Sequence, residues 1–242
     1  VCLSMHPHSE TRLVGSDVGF IGFELVFHGR PAHAAADPWN GANALDALIL
    51  TYMNINALRQ HVRPDVRMHG VITDGGRVPN IIPERAVGSF MVRARSPQVL
   101  EEVYARVQDC ARAAALATGT QVDINQITTV YNTRINPTLN RLIGENLTQV
   151  GEPVSGPPYD MGGSTDFGNV SQVIPSAFFV IKTHPEDIPW HSVQVAQAAG
   201  EEMALRGMVT SACVLAGVAV DLLHNPDTLA QVRADFAAGG KL

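Results

Sequence analysis

Three histidines in distinctive company are the residues of this chain most able to do chemistry: His6 in MHPHSE, His33 in HGRPAHAAADPWNGANALDA and His191 in PWHS. A neutral imidazole is a good ligand for zinc or manganese. His6 follows an apolar, strand-like start and precedes Pro7, a position where a side chain at a strand's carboxyl end faces a cleft. His191 lies in a proline-rich loop ahead of a long helical stretch, again at a cleft edge. Taken alone, each also reads as a surface-loop histidine, and His8 as a residue behind the ligands or a bystander. Taken together, they imply one metal pocket built from both ends of the chain with another domain between. A catalytic zinc centre of this kind needs about three protein ligands, so two imidazoles are expected to form only part of it.

The elements that must position these residues fall into two groups. Phe23, Leu25 and Phe27 alternate within residues 22–29, which predicts a strand. Asp37-Pro38 offers a cap and first-turn proline for a helix running to about His61. Strands are expected at 66–73, 86–95 and 121–130, and Ser96-Pro97 to Gly119 brackets a second helix. The order βαββαβ predicts a ferredoxin-like sandwich, two helices on one face of an antiparallel sheet. Beyond it, Asn136-Pro137 opens a helix to about Val150, a Pro/Gly-rich loop spans 151–163, residues 174–182 read as a buried strand, 200–223 as a long helix and Asn225-Pro226 as the cap of a shorter one. Alternating helix and buried strand indicates an α/β layer. The expected division is therefore 1–15 with 131–242 as the incomplete α/β portion, and 16–130 as the inserted unit.

Composition excludes several classes. With 242 residues, 45% of them hydrophobic, the chain can bury one or two cores. Seventeen basic against 23 acidic residues give a net charge of -6 without a long run of one sign, which speaks against a nucleic-acid or acidic-membrane partner. Cys2, Cys110 and Cys213 are too far apart for a CxxC pair, so a reducing, cytoplasmic setting is expected. The apolar stretch from Met208 to Leu223, interrupted by Thr210, Ser211 and Gly217, reads as a buried core helix shorter than the ~20 residues that span a bilayer. No secretion signal is legible at the start, where Val1-Cys2-Leu3 reads as entry into the middle of a strand, and the closing Gly-Gly-Lys-Leu stays outside the fold argument.

The central motif, with Pro31-Ala32-His33-Ala34-Ala35, Asp37-Pro38, Gly41 and Asn43-Ala44, resembles the lid-domain signature of the peptidase M20 family of two-metal amidohydrolases and dipeptidases. SMHP, PNIIPERA, GPP through GSTDFGNVS and PWHS follow in family order, most like the branch of Xaa-Arg dipeptidases and aminobenzoyl-glutamate hydrolases. The resemblance implies a homodimer through the lid, with His33 reaching across to stabilise the oxyanion in the partner's site. It implies that Asn80 and Arg93 hold a substrate carboxylate, to which an arginine fork is suited. Gly163, Ser164 and Thr165 match a loop lining the substrate pocket, although many relatives carry an acidic residue in place of Thr165. His6 and His191 align with two ligands of a pair of divalent ions, Zn or Mn.

The other ligands and the glutamate base of such a site have no match here. Glu201-Glu202 follows the last ligand and reads as a solvated helix start, and Asp160 and Asp166 are poorly placed as substitutes. The expectation is thus metal-dependent hydrolysis of a dipeptide or N-acyl amino acid with a free carboxylate, this chain being inactive by itself. The alternative is a non-enzymatic ferredoxin-like dimerisation or small-molecule-binding module, in which His6 and His191 lie far apart. A helix face bearing Asn43, Ala47 and Asn54 is the expected ground for self-association.

Overall fold

A computed structural model describes residues 1–152 and 154–239. The rest, including the last three residues of the closing Gly-Gly-Lys-Leu and Pro153 of the predicted loop, lies outside the described residues. The chain forms two compact units, one of residues 1–17 and 133–242, the other of residues 18–132.

In the second unit, strands β3 (Gly19–His28), β4 (Arg67–Asp74), β5 (Arg85–Ala94) and β6 (Gln121–Val130) form an antiparallel sheet in the order β4-β5-β3-β6. Helices α1 (Ala44–Leu58) and α2 (Pro97–Thr118) pack against it. The period-2 pattern explains the packing: Ile21, Phe23, Leu25 and Phe27 alternate along β3 and are all buried in the core beneath the helices. Phe90 is central, its ring packed with those of Phe23 and Tyr52. Gly70, directly across from it in the sheet, makes room, because a Cβ there would collide with the Phe90 ring and the Ser89 carbonyl. Thr118 ends α2 and Gly119 turns the chain at φ +66°, the left-handed conformation glycine adopts without steric cost. This is the ferredoxin-like arrangement expected from βαββαβ.

Helix α1 starts later than its proline suggested. Asp37 makes no capping bond; its carboxylate accepts instead from the His33 backbone N–H at 3.0 Å, and Pro38–Asn40 form only a 3-10 turn. Ala42 then pairs with Arg30, which holds the chain extended until the Asn43 side chain accepts from Leu45 and Asp46 N–H and caps the true helix. The face carrying Asn43, Ala47 and Asn54 is not the free one either. Ala47 is fully buried and the Asn54 amide donates to the Cys110 carbonyl of α2, whereas Ile49 and Met53 are the exposed large apolar residues of α1.

In the first unit, strand β8 (Ser176–Lys182) lies between β1 (Cys2–His8), parallel to it, and β2 (Arg12–Ser16), antiparallel, with β7 (Tyr159–Asp160) beyond β2. Being buried on both faces, β8 reads as an unbroken apolar run, AFFVI. Ala177, Phe179 and Ile181 meet helices α3 (Pro137–Gln149), α6 (Glu202–His224) and α7 (Pro226–Ala238), while Phe178 and Val180 meet Val14 and Met161 on the opposite face. Two short helices, α4 (Phe167–Val173) and α5 (Val193–Ala198), complete the set.

Helix α6 falls where the long helix was expected but is not the buried core helix its apolar stretch suggested. Its 23 residues are long and apolar enough to cross a membrane, and only 28% of its most apolar window is buried. Ala204, Gly207, Ser211, Val214, Val218 and Leu222 recur at helical spacing and form the one inward stripe, leaving Met208, Val209, Val220 and Leu223 exposed. Gly217 lets it approach α3, since a Cβ would run into the Asn146 side chain, which bridges the Leu142 carbonyl and Asp221 at 3.0 and 2.8 Å. Where the chain leaves this unit and returns, the buried Asp17 carboxylate accepts from both the backbone N–H and the hydroxyl of Thr133, at 2.6 and 2.5 Å.

Candidate functional site

His6 shares its face of the sheet with its neighbour Val180 on β8, above Met161 and Tyr159, because directly paired residues point the same way. That geometry opens a cavity of about 370 Å³ lined by His6, Tyr159, Met161, Gly162, Gly163, Ser164, Thr165, Trp190 and His191. Five of the eight residues singled out from sequence, His6, His191, Gly163, Ser164 and Thr165, therefore share one wall system. A Cβ at Gly162 would meet nothing within 4 Å, so packing does not demand glycine there and the backbone stays open to the cavity. The Thr165 hydroxyl accepts from the Phe167 N–H at 3.3 Å, fixing the loop where it enters α4.

Hydrogen bonds assign the ring protons. His6 Nδ1 lies 2.7 Å from the Pro7 carbonyl, which can only accept, so Nδ1 carries the proton and Nε2 presents its lone pair. His184, buried nearby, repeats this with the Pro185 carbonyl at 2.9 Å. His8 is the reverse: its Nδ1 accepts from the Glu10 N–H at 3.0 Å. Its pKa is pushed down, mainly by burial; Glu10 opposes the shift, and His184 and His6 add to it. His191 is the one non-glycine residue at positive φ, +56°, among the described residues.

Two imidazoles at one cavity suit zinc or manganese as nitrogen ligands. Among the described residues no group of three or more His, Cys, Asp or Glu side chains is placed to hold a metal ion. His6 and His191 thus fit as part of a donor set. Asp160 is engaged elsewhere, accepting from Ser16 at 2.5 Å, and Glu201 and Glu202 stand exposed at the start of α6.

The inserted unit carries the other three. His33 pairs with Ile81 in an isolated bridge, and the Ala34 N–H donates to the Asn80 carbonyl at 3.0 Å, so His33 and Asn80 travel together. His33 Nδ1 accepts from Ala35 and Ala36 N–H at 3.2 and 3.1 Å, which leaves Nε2 as the protonated, exposed nitrogen. Arg93 sits apart. Asn80 precedes β5 and Arg93 lies next to its last residue, so most of the strand, about 25 Å at ~3.3 Å per residue, separates them. The Arg93 Nε donates to His69 Nε2 at 3.3 Å and its guanidinium lies 5.2 Å over the Phe20 ring. Burial first, then the charges of Arg93 and Arg59, push the His69 pKa down.

Sequence reasoning missed Trp190, Tyr159 and Met161 as cavity walls. The available signal was a tryptophan adjoining a candidate ligand.

Residues 16–119 match a family model described as a peptidase dimerisation domain of M20 type. The Xaa-Arg dipeptidases of Mus musculus and Homo sapiens are 39% and 35% identical over 98% of this chain. The chain spans about half the length of these relatives, 56% and 55%. A p-aminobenzoyl-glutamate hydrolase polypeptide of Escherichia coli is 33% identical over 52% of this chain and 27% of its own length. Among solved structures, a putative aminohydrolase from methicillin-resistant Staphylococcus aureus covers 90% of this chain and 58% of its own at TM-score 0.73 and 15% identity, which is evidence of shared fold. With the βαββαβ unit at the matched residues and near-complete alignment to those dipeptidases, this chain belongs to the M20 peptidase family.

Proposed function

We propose that the protein hydrolyses a peptide or N-acyl amide bond next to a free carboxylate, in a dipeptide or N-acyl amino acid, with two divalent ions, Zn or Mn. The observation that carries this reading is the cavity shared by His6, His191 and the Gly163–Thr165 loop. In the binding-module alternative those two histidines have no reason to meet. The names of the mouse and human relatives support a dipeptide as substrate. When bound, such ions bring the pKa of a coordinated water down to ~7 and polarise the scissile carbonyl.

The chain's own groups have separable roles. His6 offers Nε2 and His191 its imidazole as ligands. The Gly162-Gly163 backbone and Ser164-Thr165 form the wall against which the substrate lies. His33, with Nδ1 already occupied, can donate only through Nε2–H, the right polarity to stabilise an oxyanion in a partner protomer's cavity. Asn80, whose carbonyl is tied to the His33 segment, and Arg93, with its guanidinium fork, would hold the substrate carboxylate. The match of residues 16–119 to a peptidase dimerisation domain supports a homodimer through the inserted unit. Three unpaired cysteines favour a reducing, cytoplasmic location.

The test is turnover of a dipeptide panel by the whole protein with added Mn²⁺ or Zn²⁺. His33→Ala should lower kcat about 100- to 1000-fold, the usual cost of removing one oxyanion donor, with little change in KM. Unchanged kcat would overturn the role of His33, and absence of turnover on every dipeptide and N-acyl amino acid would overturn the reading itself.

A further inference from the structure

We propose that Trp190 is the positioning residue of the histidine cavity: its indole sets the ring planes of His6 and His191 so that their nitrogens converge. This rests on the metal-ligand reading of those two residues given above. Four of the nine histidines are in ring contact with this one indole. His6 stacks on it, centroids 5.3 Å apart and planes 27° from parallel, while His8 and His184 meet it edge-on at 5.2 and 6.2 Å. His191, the next residue, lies 6.2 Å away at 56°.

The backbone supports this arrangement. In extended chain, consecutive side chains point to opposite sides, yet Trp190 and His191 both line the cavity. The left-handed turn at His191, φ +56°, brings them to the same side. A non-glycine residue holds that conformation only when its surroundings over-determine it, and such positions cluster at functional sites.

An imidazole has two side-chain torsions, and a useful ligand needs both fixed. For His6, the bond from Nδ1 to the Pro7 carbonyl fixes the tautomer and the indole face fixes the plane, so Nε2 has one direction left. Among the described residues, His191 is held by its neighbour's ring and its own backbone turn. Trp190 touches the metal's ligands rather than the reacting atoms, and its loss should therefore loosen aim without removing a donor.

The experiment uses the full chain with ring-labelled histidine, titrated with Ni²⁺ alone and followed by the broadening of the His6 and His191 ring signals. Trp190→Ala should weaken Ni²⁺ binding at these two rings about tenfold, within the range lost when an outer-shell partner of a ligand is removed. It should also abolish the upfield displacement of the stacked His6 signal. Trp190→Phe, which keeps an aromatic face, should restore most of the affinity. Amide exchange in β1 and β8 checks that Trp190→Ala still folds; if it does not, Trp190→Leu against Trp190→Phe makes the same comparison. Wild-type affinity in Trp190→Ala, with His6→Ala abolishing binding, would overturn the positioning role and leave the ligands standing. Equal losses in the Phe and Ala variants would overturn it too. If Ni²⁺ leaves the His6 and His191 signals of the wild-type chain unbroadened, the metal reading falls and takes this inference with it.

Discussion

The two units build their functional groups in opposite ways. In the inserted unit, His33 is set by its own neighbours: Asp37 holds its N–H, and Ala35 and Ala36 hold its Nδ1. In the other unit, His6, the loop at 162–165 and His191 come from three distant segments and meet at one cavity, where both histidine rings contact one indole. A locally wired group survives perturbation of the surrounding fold, whereas a group assembled across the chain inherits every error in the elements beneath it.

The largest expected effect separates the two cores. Phe23, 1% exposed and packed on Phe90 and Tyr104, belongs to the inserted unit alone. Phe23→Ala should cost about 3–5 kcal/mol there and speed amide exchange throughout residues 18–132, while α3, β8 and α6 keep their protection. An equal loss of protection in both units would erase the contrast.

Next in size, Gly217→Ala places a methyl group against the Asn146 side chain. It should destabilise the α3–α6 contact by about 1–3 kcal/mol, as overpacking usually does. Adding Asn146→Ala should recover part of that loss in urea unfolding; failure to recover any would mean the crowding is not at this contact.

The smallest effect sharpens the same comparison through pH. Thr138 donates its hydroxyl to Asp235 at 2.6 Å, and this bond, followed by one from Gln231, holds the Asp235 carboxyl below its usual range. A carboxyl depressed on folding contributes stability above its unfolded pKa, ~3.9, and loses that contribution as pH falls through the lower folded value. Asp235→Ala should therefore unfold at lower urea than wild type near pH 6 and match it near pH 2. A gap that persists undiminished at pH 2 would show that the carboxylate charge is not the cause.

Much of the inserted unit was legible because alternation and caps act locally. Gln121–Val130 and the α2 segment from Pro97 to Gly119 fell where the pattern placed them. Helix α1 did not, because Asp37-Pro38 carries a cap's sequence while its carboxylate is engaged by the His33 backbone, a bond invisible in residue order. Helix α6 was misjudged for another reason: an apolar composition does not say which side finds a partner, and only the stripe from Ala204 to Leu222 does. In the cavity, residue type and motif could nominate His6 and His191, but the common indole between them is a tertiary fact. Asn80 and Arg93, close in sequence, are kept apart by the strand that joins them.

The entry and exit of the inserted unit share one doorway. Asp17 clasps Thr133 on one side, and beyond it Gly19 lies so near the Val130 and Asn132 backbones that no side chain would fit between the incoming and outgoing strands. A segment whose ends already touch can be lifted out and resealed with a linker of a few residues, since closing a short gap adds little entropic cost. The same doorway allows one such module to be exchanged for another while the histidine-bearing layer keeps its connectivity.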